Sequence, residues 1–295
     1  MTSALHEDLA ARLAGAGGVV MMIGAPDTGK STVSRLVIGA ALDAGKTVAY
    51  IDGDLGQAIV GPPTCVGLKM LHTRDDLDGF GDFDDLRFVG GITPDRYRLQ
   101  QVTGVASLVE SVREVADLIV IDTTGAISGI VGQTLKYHKV ELCRPDTVVA
   151  LQRGSEMEPL VGLLRRFFAV DVETASVPQH IMTMSPRERA ETRADNFAKA
   201  LQEPLQRWRV RPTVFAPTLP AGLDLSRLDR MVVGVHDQNA RCLGLGVLEF
   251  DDGSLRVTTE YGDGMAGLRL GSLRIDLTSY NTTTVNLREL MFGLE

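Results

Sequence analysis

The chain has 295 residues, 44% of them apolar and 23% charged, and a formal net charge of −8. That length supports one large domain or two unequal ones with a full core, and no apolar run approaches the roughly 18 residues of a membrane span. The acidic balance excludes a general, salt-driven grip on nucleic acid, which needs a basic face, and leaves room only for a local groove that holds a short end.

Met1 to Leu13, with His6, Glu7 and Asp8, reads as an amphipathic helix rather than a signal peptide. Three widely separated cysteines (Cys65, Cys143 and Cys242) suggest reduced thiols and a cytoplasmic protein. The five histidines form no zinc-binding pattern. The sequence sets no oligomeric state.

Gly18 to Ile23 is an apolar run of the kind found in a strand buried within a parallel sheet. It leads into Gly24-Ala25-Pro26-Asp27-Thr28-Gly29-Lys30-Ser31, which fits the phosphate-binding loop G-x-x-x-x-G-K-[ST] at every fixed position. Val33, Leu36, Val37, Ala40 and Ala41 then recur at helical spacing. Glycines that let the backbone curl, together with the positive end of a helix, make an anion cradle. Lys30 is placed to reach the β- and γ-phosphates and Ser31 to hold Mg²⁺. This combination predicts a nucleoside triphosphate site.

Thr47 to Asp52 reads as a second buried strand, ending in Asp52-Gly53-Asp54-Leu55-Gly56-Gln57. Open α/β sheets place their chemistry at such strand ends, where an aspartate can take the attacking hydroxyl's proton or order the metal. Gly61-Pro62-Pro63 makes the Val60–Leu71 stretch extended. The aspartate-rich run from Arg74 to Arg87 reads as a solvated loop, with a short strand over Leu86 to Val89. Leu99, Val102, Val105, Ala106, Val109 and Val112 trace the apolar face of the next helix.

Leu118 to Asp122 is a third buried strand, with Asp122 at the Walker B position near the metal. Thr123-Thr124-Gly125 is expected to open a helix whose face carries Ile127, Ile130, Val131, Leu135 and Leu142, stopped by Pro145. Asp146 to Gln152 follows as a fourth core strand. The alternation predicts an α/β fold, a P-loop NTPase-type doubly wound and mainly parallel sheet.

Ser185-Pro186 caps a helix near 186–209 that bears Arg187, Arg189, Arg193 and Lys199. Arg189 and Arg193 share one face and suit a lid that closes on a transferring phosphoryl group; a solvated face laced with Glu188, Glu191 and Asp195 is the plainer alternative. After Arg211-Pro212 the pattern turns to short strands, with Asp252-Gly253 a hairpin signal. The expected division is a P-loop domain over 1–210 and a smaller β-rich C-terminal domain over 211–295.

The phosphate loop through Thr32, the segment Asp52 to Gln57, the Thr123-Thr124-Gly125 turn and the arginine-bearing Arg187 to Phe197 resemble the polynucleotide 5′-hydroxyl kinases of RNA processing. Leu243-Gly244-Leu245-Gly246 and Gly267-Leu268-Arg269-Leu270-Gly271 resemble that family's C-terminal domain. The likeness covers residues 18 to 276. It implies transfer of the ATP γ-phosphate to the 5′-hydroxyl end of RNA or DNA, with no membrane partner. By this resemblance Gly24, Asp27, Thr28, Gly29, Lys30, Ser31 and Thr32 bind the nucleotide, and Ser31, Asp54 and Asp122 surround Mg²⁺. Lys30, Asp54, Arg189 and Arg193 form the catalytic set. Gln57, Thr123, Thr124 and Gly125 lie toward the substrate, with Thr123 matching a clasp threonine.

Two departures stand out. The family clasp Thr-x-Gly-Trp ends here in Ala126, which removes a base-stacking platform worth about 1–3 kcal/mol, and the N-terminal β domain of eukaryotic members does not precede the loop. The alternatives are a kinase for a small hydroxyl substrate, or a non-catalytic nucleotide-binding scaffold.

Overall fold

The computed structural model describes residues 4–177 and 183–293; the first three positions of the expected N-terminal helix lie outside the described residues. Helix α1 (Ala4–Ala16) leads into β1 (Gly18–Gly24), α2 (Lys30–Asp43) and β2 (Val48–Gly53). Next come β3 (Cys65–Leu71), β4 (Asp85–Phe88), α3 (Arg98–Val112), β5 (Leu118–Thr123) and α4 (Gly129–Cys143). The first sheet is completed by β6 (Thr147–Gln152), α5 (Glu158–Phe167) and β7 (Asp171–Ser176). Its order is β4-β3-β2-β5-β1-β6-β7. The strands from β2 to β7 along that order are parallel, while β3 runs antiparallel to both β2 and β4.

Strand β1 shows why the sheet is doubly covered. Val19, Met21 and Ile23 face one core with α3, α4 and α5, whereas Val20 and Met22 face the other with α1 and α2. Burying each such side chain contributes roughly 1.5–3 kcal/mol. Register then sets the chemistry. β2 and β5 pair with Asp52 opposite Asp122 and Gly53 opposite Thr123, so the acidic ends of two strands stand side by side next to the loop that leaves β1.

Several expectations are corrected in detail. Leu99 is 72% exposed rather than on the buried face of α3. In α4, Ile130 and Leu142 point outward, and the inner face carries Leu135, Lys136, Lys139, Val140 and Cys143. The helix starts at Gly129, after Ser128, rather than directly behind Gly125. The acidic Arg74–Arg87 run includes a short 3₁₀ turn at Arg74–Leu77, and it buries Phe80 against the Tyr50 ring with centroids 4.7 Å apart.

Helix α6 (Pro186–Ala200) begins with a capping box between Ser185 and Glu188. It ends at Ala200, nine residues before the expected end at 209, because the chain bends at Pro204 into strand β8 (Gln206–Arg209). β8 pairs with the second sheet, and Trp208 lies opposite Val257 there. This sheet also holds β9 (Phe215–Ala216), β10 (Met231–His236), β11 (Cys242–Asp251), β12 (Ser254–Thr259), β13 (Gly267–Ile275) and β14 (Thr282–Thr284), followed by α7 (Leu287–Phe292). Asp252 and Gly253, both at positive φ, join β11 to β12.

A shared apolar layer joins the two sheets. Cys65, Leu86 and Phe88 of the first pack with Val232, Leu245 and Val247 of the second, and with Phe197 and Leu201 at the end of α6. Helix α6 is therefore anchored at its C-terminal end, with Arg189 and Arg193 of its N-terminal half on the side of the strand ends.

Candidate active site

The loop between β1 and α2 turns through Asp27 (φ 56°) and Gly29 (φ 81°), and α2 begins at Lys30. Left-handed turns of this kind bring successive N–H groups to one side, and the helix end adds positive potential. Lys30 Nζ donates to the carbonyls of Gly24 (3.2 Å) and Ala25 (2.9 Å), and burial lowers its pKa. Thr28 Oγ1 donates to the Ala25 carbonyl at 2.9 Å. Ser31 Oγ donates to Asp122 Oδ2 at 2.6 Å, and the Tyr50 hydroxyl donates to the same oxygen at 3.1 Å. Burial raises the Asp122 pKa against the opposing pull of Lys30 and Ser31.

Behind this pair sits Asp52. Its Oδ1 accepts from the Asp54 N–H (2.9 Å) and its Oδ2 from those of Ile59 and Val60, which locks the turn after β2. Burial and then the Asp122 charge push its pKa up to about 8. Asp54 stands above it, half-buried, accepting from the Gly56 and Gln57 N–H groups at 3.0 Å each.

The clasp is tied down from below. Thr123 Oγ1 donates to the Met22 carbonyl at 2.7 Å, joining β5 to β1 directly under the loop. A Cβ at Gly125 would stand 2.5 Å from Pro26 Cγ, so only glycine lets this turn close on the phosphate loop. Thr124 follows Thr123 into the same wall, and its carbonyl accepts from Lys136.

From α6, Arg189 pairs with the Asp27 carboxylate, which also accepts from the Met184 N–H at 3.1 Å. Gln57 Nε2 donates to the Arg189 carbonyl at 3.0 Å. Arg193, one turn on, has no carboxylate within 4.0 Å among the described residues, and burial lowers its pKa. Lys30, Ser31, Asp54, Asp122, Arg189 and Arg193 thus line one cavity of about 670 Å³. Asp27, Gly29, Thr32, Gln57, Thr123, Thr124, Gly125 and Ala126 also border it. Gly24 and Thr28 stand back from its wall, where they shape the loop.

Sequence reading missed four contributors. Arg153, just past β6, donates to the loop carbonyls of Asp27 and Pro26; its place at a strand end was the available signal. Tyr50 had none, since an aromatic residue in a strand reads as core. Lys136 and Lys139 were hidden because a charged residue suggests an outward face.

A glycine-rich loop between a central parallel strand and a helix, with a carboxylate bonded to its serine, defines a P-loop nucleotide-binding protein of the α/β class. Residues 24–202 match the family model of the mRNA cleavage and polyadenylation factor CLP1 P-loop. The chain belongs to the CLP1 P-loop family. It is 27% identical to a polyribonucleotide 5′-hydroxyl-kinase of Pyrococcus abyssi, with 87% of each chain covered. It is 25% identical to one of Methanocaldococcus jannaschii, again covering 87% of each. A solved structure of the Clp1p–Pcf11p complex has the same fold, with a TM-score of 0.69, 12% identity, and coverage of 92% of this chain and 78% of that one. No helix among the described residues is long and apolar enough to cross a membrane.

Proposed function

We propose that this protein is an ATP-dependent kinase that transfers the γ-phosphate to the 5′-hydroxyl end of RNA or DNA. The observation that carries the reading is the convergence of Lys30, Asp54 and Arg193 on one cavity beside the bonded Ser31–Asp122 pair. Membership in the CLP1 P-loop family and the kinase names of its relatives support it.

Lys30 and the loop N–H groups hold the nucleotide phosphates. The acceptor oxygen forms a bond to the γ-phosphorus, the bridging P–O bond breaks, and ADP leaves with that electron pair. The acceptor proton passes to the Asp54 carboxylate. Arg193, without a fixed carboxylate partner, balances the charge that builds on the transferring group. Mg²⁺ suits the donor set, since the Ser31 hydroxyl and the Asp122 carboxylate already stand 2.6 Å apart and Asp54 borders the same space. When bound, it neutralises phosphate charge.

A second cavity of about 470 Å³ lies farther along α6, lined by Asn196 and Lys199 of that helix and by Asp82, Glu260 and Tyr261. The kinase names of the relatives favour a polymer over a small alcohol. Ala126 favours the small alcohol. The division at residue 210 into a P-loop unit and a β-rich unit remains part of the proposal, as does a cytoplasmic setting, which the three free, buried cysteines support.

The test is transfer of labelled γ-phosphate to 5′-hydroxyl oligonucleotides of graded length, with Asp54→Asn as control. Wild type transfers label, and Asp54→Asn loses activity about 10²- to 10⁴-fold. No transfer to RNA or DNA of any length overturns the reading, and transfer confined to small alcohols moves it to the alternative substrate.

A further inference from the structure

The acidic chain has a strongly basic edge. Strand β8 is an outer strand of the second sheet, paired with β12. The chain there reads Arg207-Trp208-Arg209-Val210-Arg211. Pairing runs past the strand's end, since the Val210 N–H donates to the Leu255 carbonyl at 3.0 Å and Arg211 keeps an extended backbone (φ −97°, ψ 151°). Strand alternation divides these five residues between two faces. Trp208 and Val210 turn to the apolar core of the sheet, and Arg207, Arg209 and Arg211 are exposed on the other side.

The charges on this face do not cancel. Arg207 pairs with Glu249 at 3.0 Å, and Arg256 of β12 pairs with Asp251 at 2.7 Å. Arg209 stands directly opposite Arg256 in the register, and like charges so placed weaken a sheet. Neither Arg209 nor Arg211 has a carboxylate within 4.0 Å among the described residues. Both line a cavity of about 550 Å³ together with Gly253, Ser254, Leu225 and Leu255, and its lining includes no acid. Asp82 and Glu260, by contrast, border the cavity along α6. Of the nearby acids, Asp224 accepts from the Ser226 N–H at 3.0 Å. Asp252, at the β11–β12 turn, has no cation within 4.0 Å among the described residues. Charged side chains also guard outer strands against pairing with another chain. Acidic side chains would do that equally well in a chain of net charge −8, and without setting Arg209 against Arg256.

We propose that Arg209 and Arg211 form a phosphodiester-binding site on the β8 edge, a second contact for the single-stranded polynucleotide that serves as acceptor. Paired guanidinium forks match phosphate oxygens. Trp208 is turned inward and offers no platform for a base, so the site senses backbone charge and not sequence. Neither arginine lines the transfer cavity, so an acceptor short enough to fill that cavity alone does not engage them. A local patch of this kind lets a chain of net negative charge hold a polyanion. The inference rests on the polynucleotide reading of the acceptor and says which surface holds the rest of the strand.

The experiment measures binding of fluorescein-labelled single-stranded RNAs of about 20 and about four nucleotides, without ATP and over a range of salt. Wild type is compared with the double variant Arg209→Gln/Arg211→Gln and with Asp252→Asn. Losing both arginines weakens binding of the longer RNA about tenfold and lowers the salt slope of log K by about 1–1.5. Asp252→Asn keeps the turn, because asparagine tolerates positive φ, and removes a repelling charge, so it tightens binding about twofold. The short RNA binds alike to all three proteins. In phosphate transfer the double variant keeps kcat and raises KM about tenfold for the longer acceptor alone. Equal affinity and salt slope in wild type and the double variant overturn the proposal. Self-association of the double variant with unchanged RNA binding also overturns it, as the mark of arginines that merely guard the edge. So does a loss confined to binding of polyglutamate, which would make the partner an acidic protein. Should the double variant fail to fold, Asp252→Asn decides, and no tightening of RNA binding there sinks the site. RNA that binds through Arg209 and Arg211 but receives no phosphate removes the kinase reading and keeps this one. Phosphate transfer with binding indifferent to these arginines does the reverse.

Discussion

The donor half and the lid half of the cavity are built by different rules. The donor half comes from three short segments, each at the end of a buried parallel strand, and the sheet's own register brings them together. Its polar contacts are short and shielded, as with Thr123 to Met22 and Ser31 to Asp122. The lid half is assembled from single side-chain bridges over long separations: Arg189 to Asp27, Gln57 to the Arg189 carbonyl, and Asn196 to the Ala58 carbonyl at 3.0 Å. These bridges are partly exposed, and each contributes about 1 kcal/mol. One half is fixed by the fold, and the N-terminal half of α6 is held to it by a few polar contacts.

Substitutions should separate the halves. The largest loss is expected at the donor side, where Lys30→Met lowers kcat about 10³-fold without lowering the thermal midpoint, since burial already works against the Lys30 charge. Equal loss of folding and activity would show that the lysine holds the loop rather than the phosphates. Arg193→Ala follows, with kcat down about 10²-fold and KM for ATP little changed, because its guanidinium has no carboxylate to brace. A rise in KM with kcat intact would assign Arg193 to ground-state nucleotide binding instead. Asp27→Asn comes next. It weakens the latch to Arg189 and should shift KM for ATP a fewfold in either direction, with protease susceptibility at the start of α6 increased. Unchanged proteolysis would mean that the latch does not hold the lid.

The same contrast explains what could be read from the chain. The donor half was legible because its signals are local: a loop pattern between an apolar run and a helix, then an aspartate at each of two strand ends. Those strands had to be neighbours for the pattern to mean anything, and buried runs of valine and isoleucine imply a parallel sheet. The helix faces were less legible. Ile130 and Leu142 read as core by residue type, yet α4 turns them outward and buries Lys136 and Lys139 instead. Periodicity cannot anticipate a register chosen for charge. Likewise α6 ends at Ala200 because Pro204 redirects the chain into a sheet whose other strands come later in sequence. The pairing of Arg189 with Asp27 bridges 162 residues and leaves no local trace.

Lys139 belongs to the fixed half, and its charge should be visible in the pH dependence of folding. Its pKa falls from 10.5 to about 8 in the folded chain, through burial above all. Near pH 7 both folded and unfolded chains hold the proton, so folding bears the full penalty of burying it. Between pH 8 and pH 10.5 the folded chain gives up the proton while the unfolded chain keeps it, and linkage then makes stability rise with pH. Asp52 works in the other direction: its pKa is raised to about 8, so its contribution is complete below its unfolded value near 3.8 and is lost as pH climbs through 8. The two act in separate windows, Asp52 between 3.8 and about 8 and Lys139 above about 8. Comparing wild type with Lys139→Met largely removes the Asp52 contribution, since both carry it. The variant's thermal midpoint should exceed that of wild type by a few degrees near pH 7, and the gap should close toward pH 10. A gap independent of pH would mean that methionine changes packing and not charge, which would place Lys139 among the structural residues of α4.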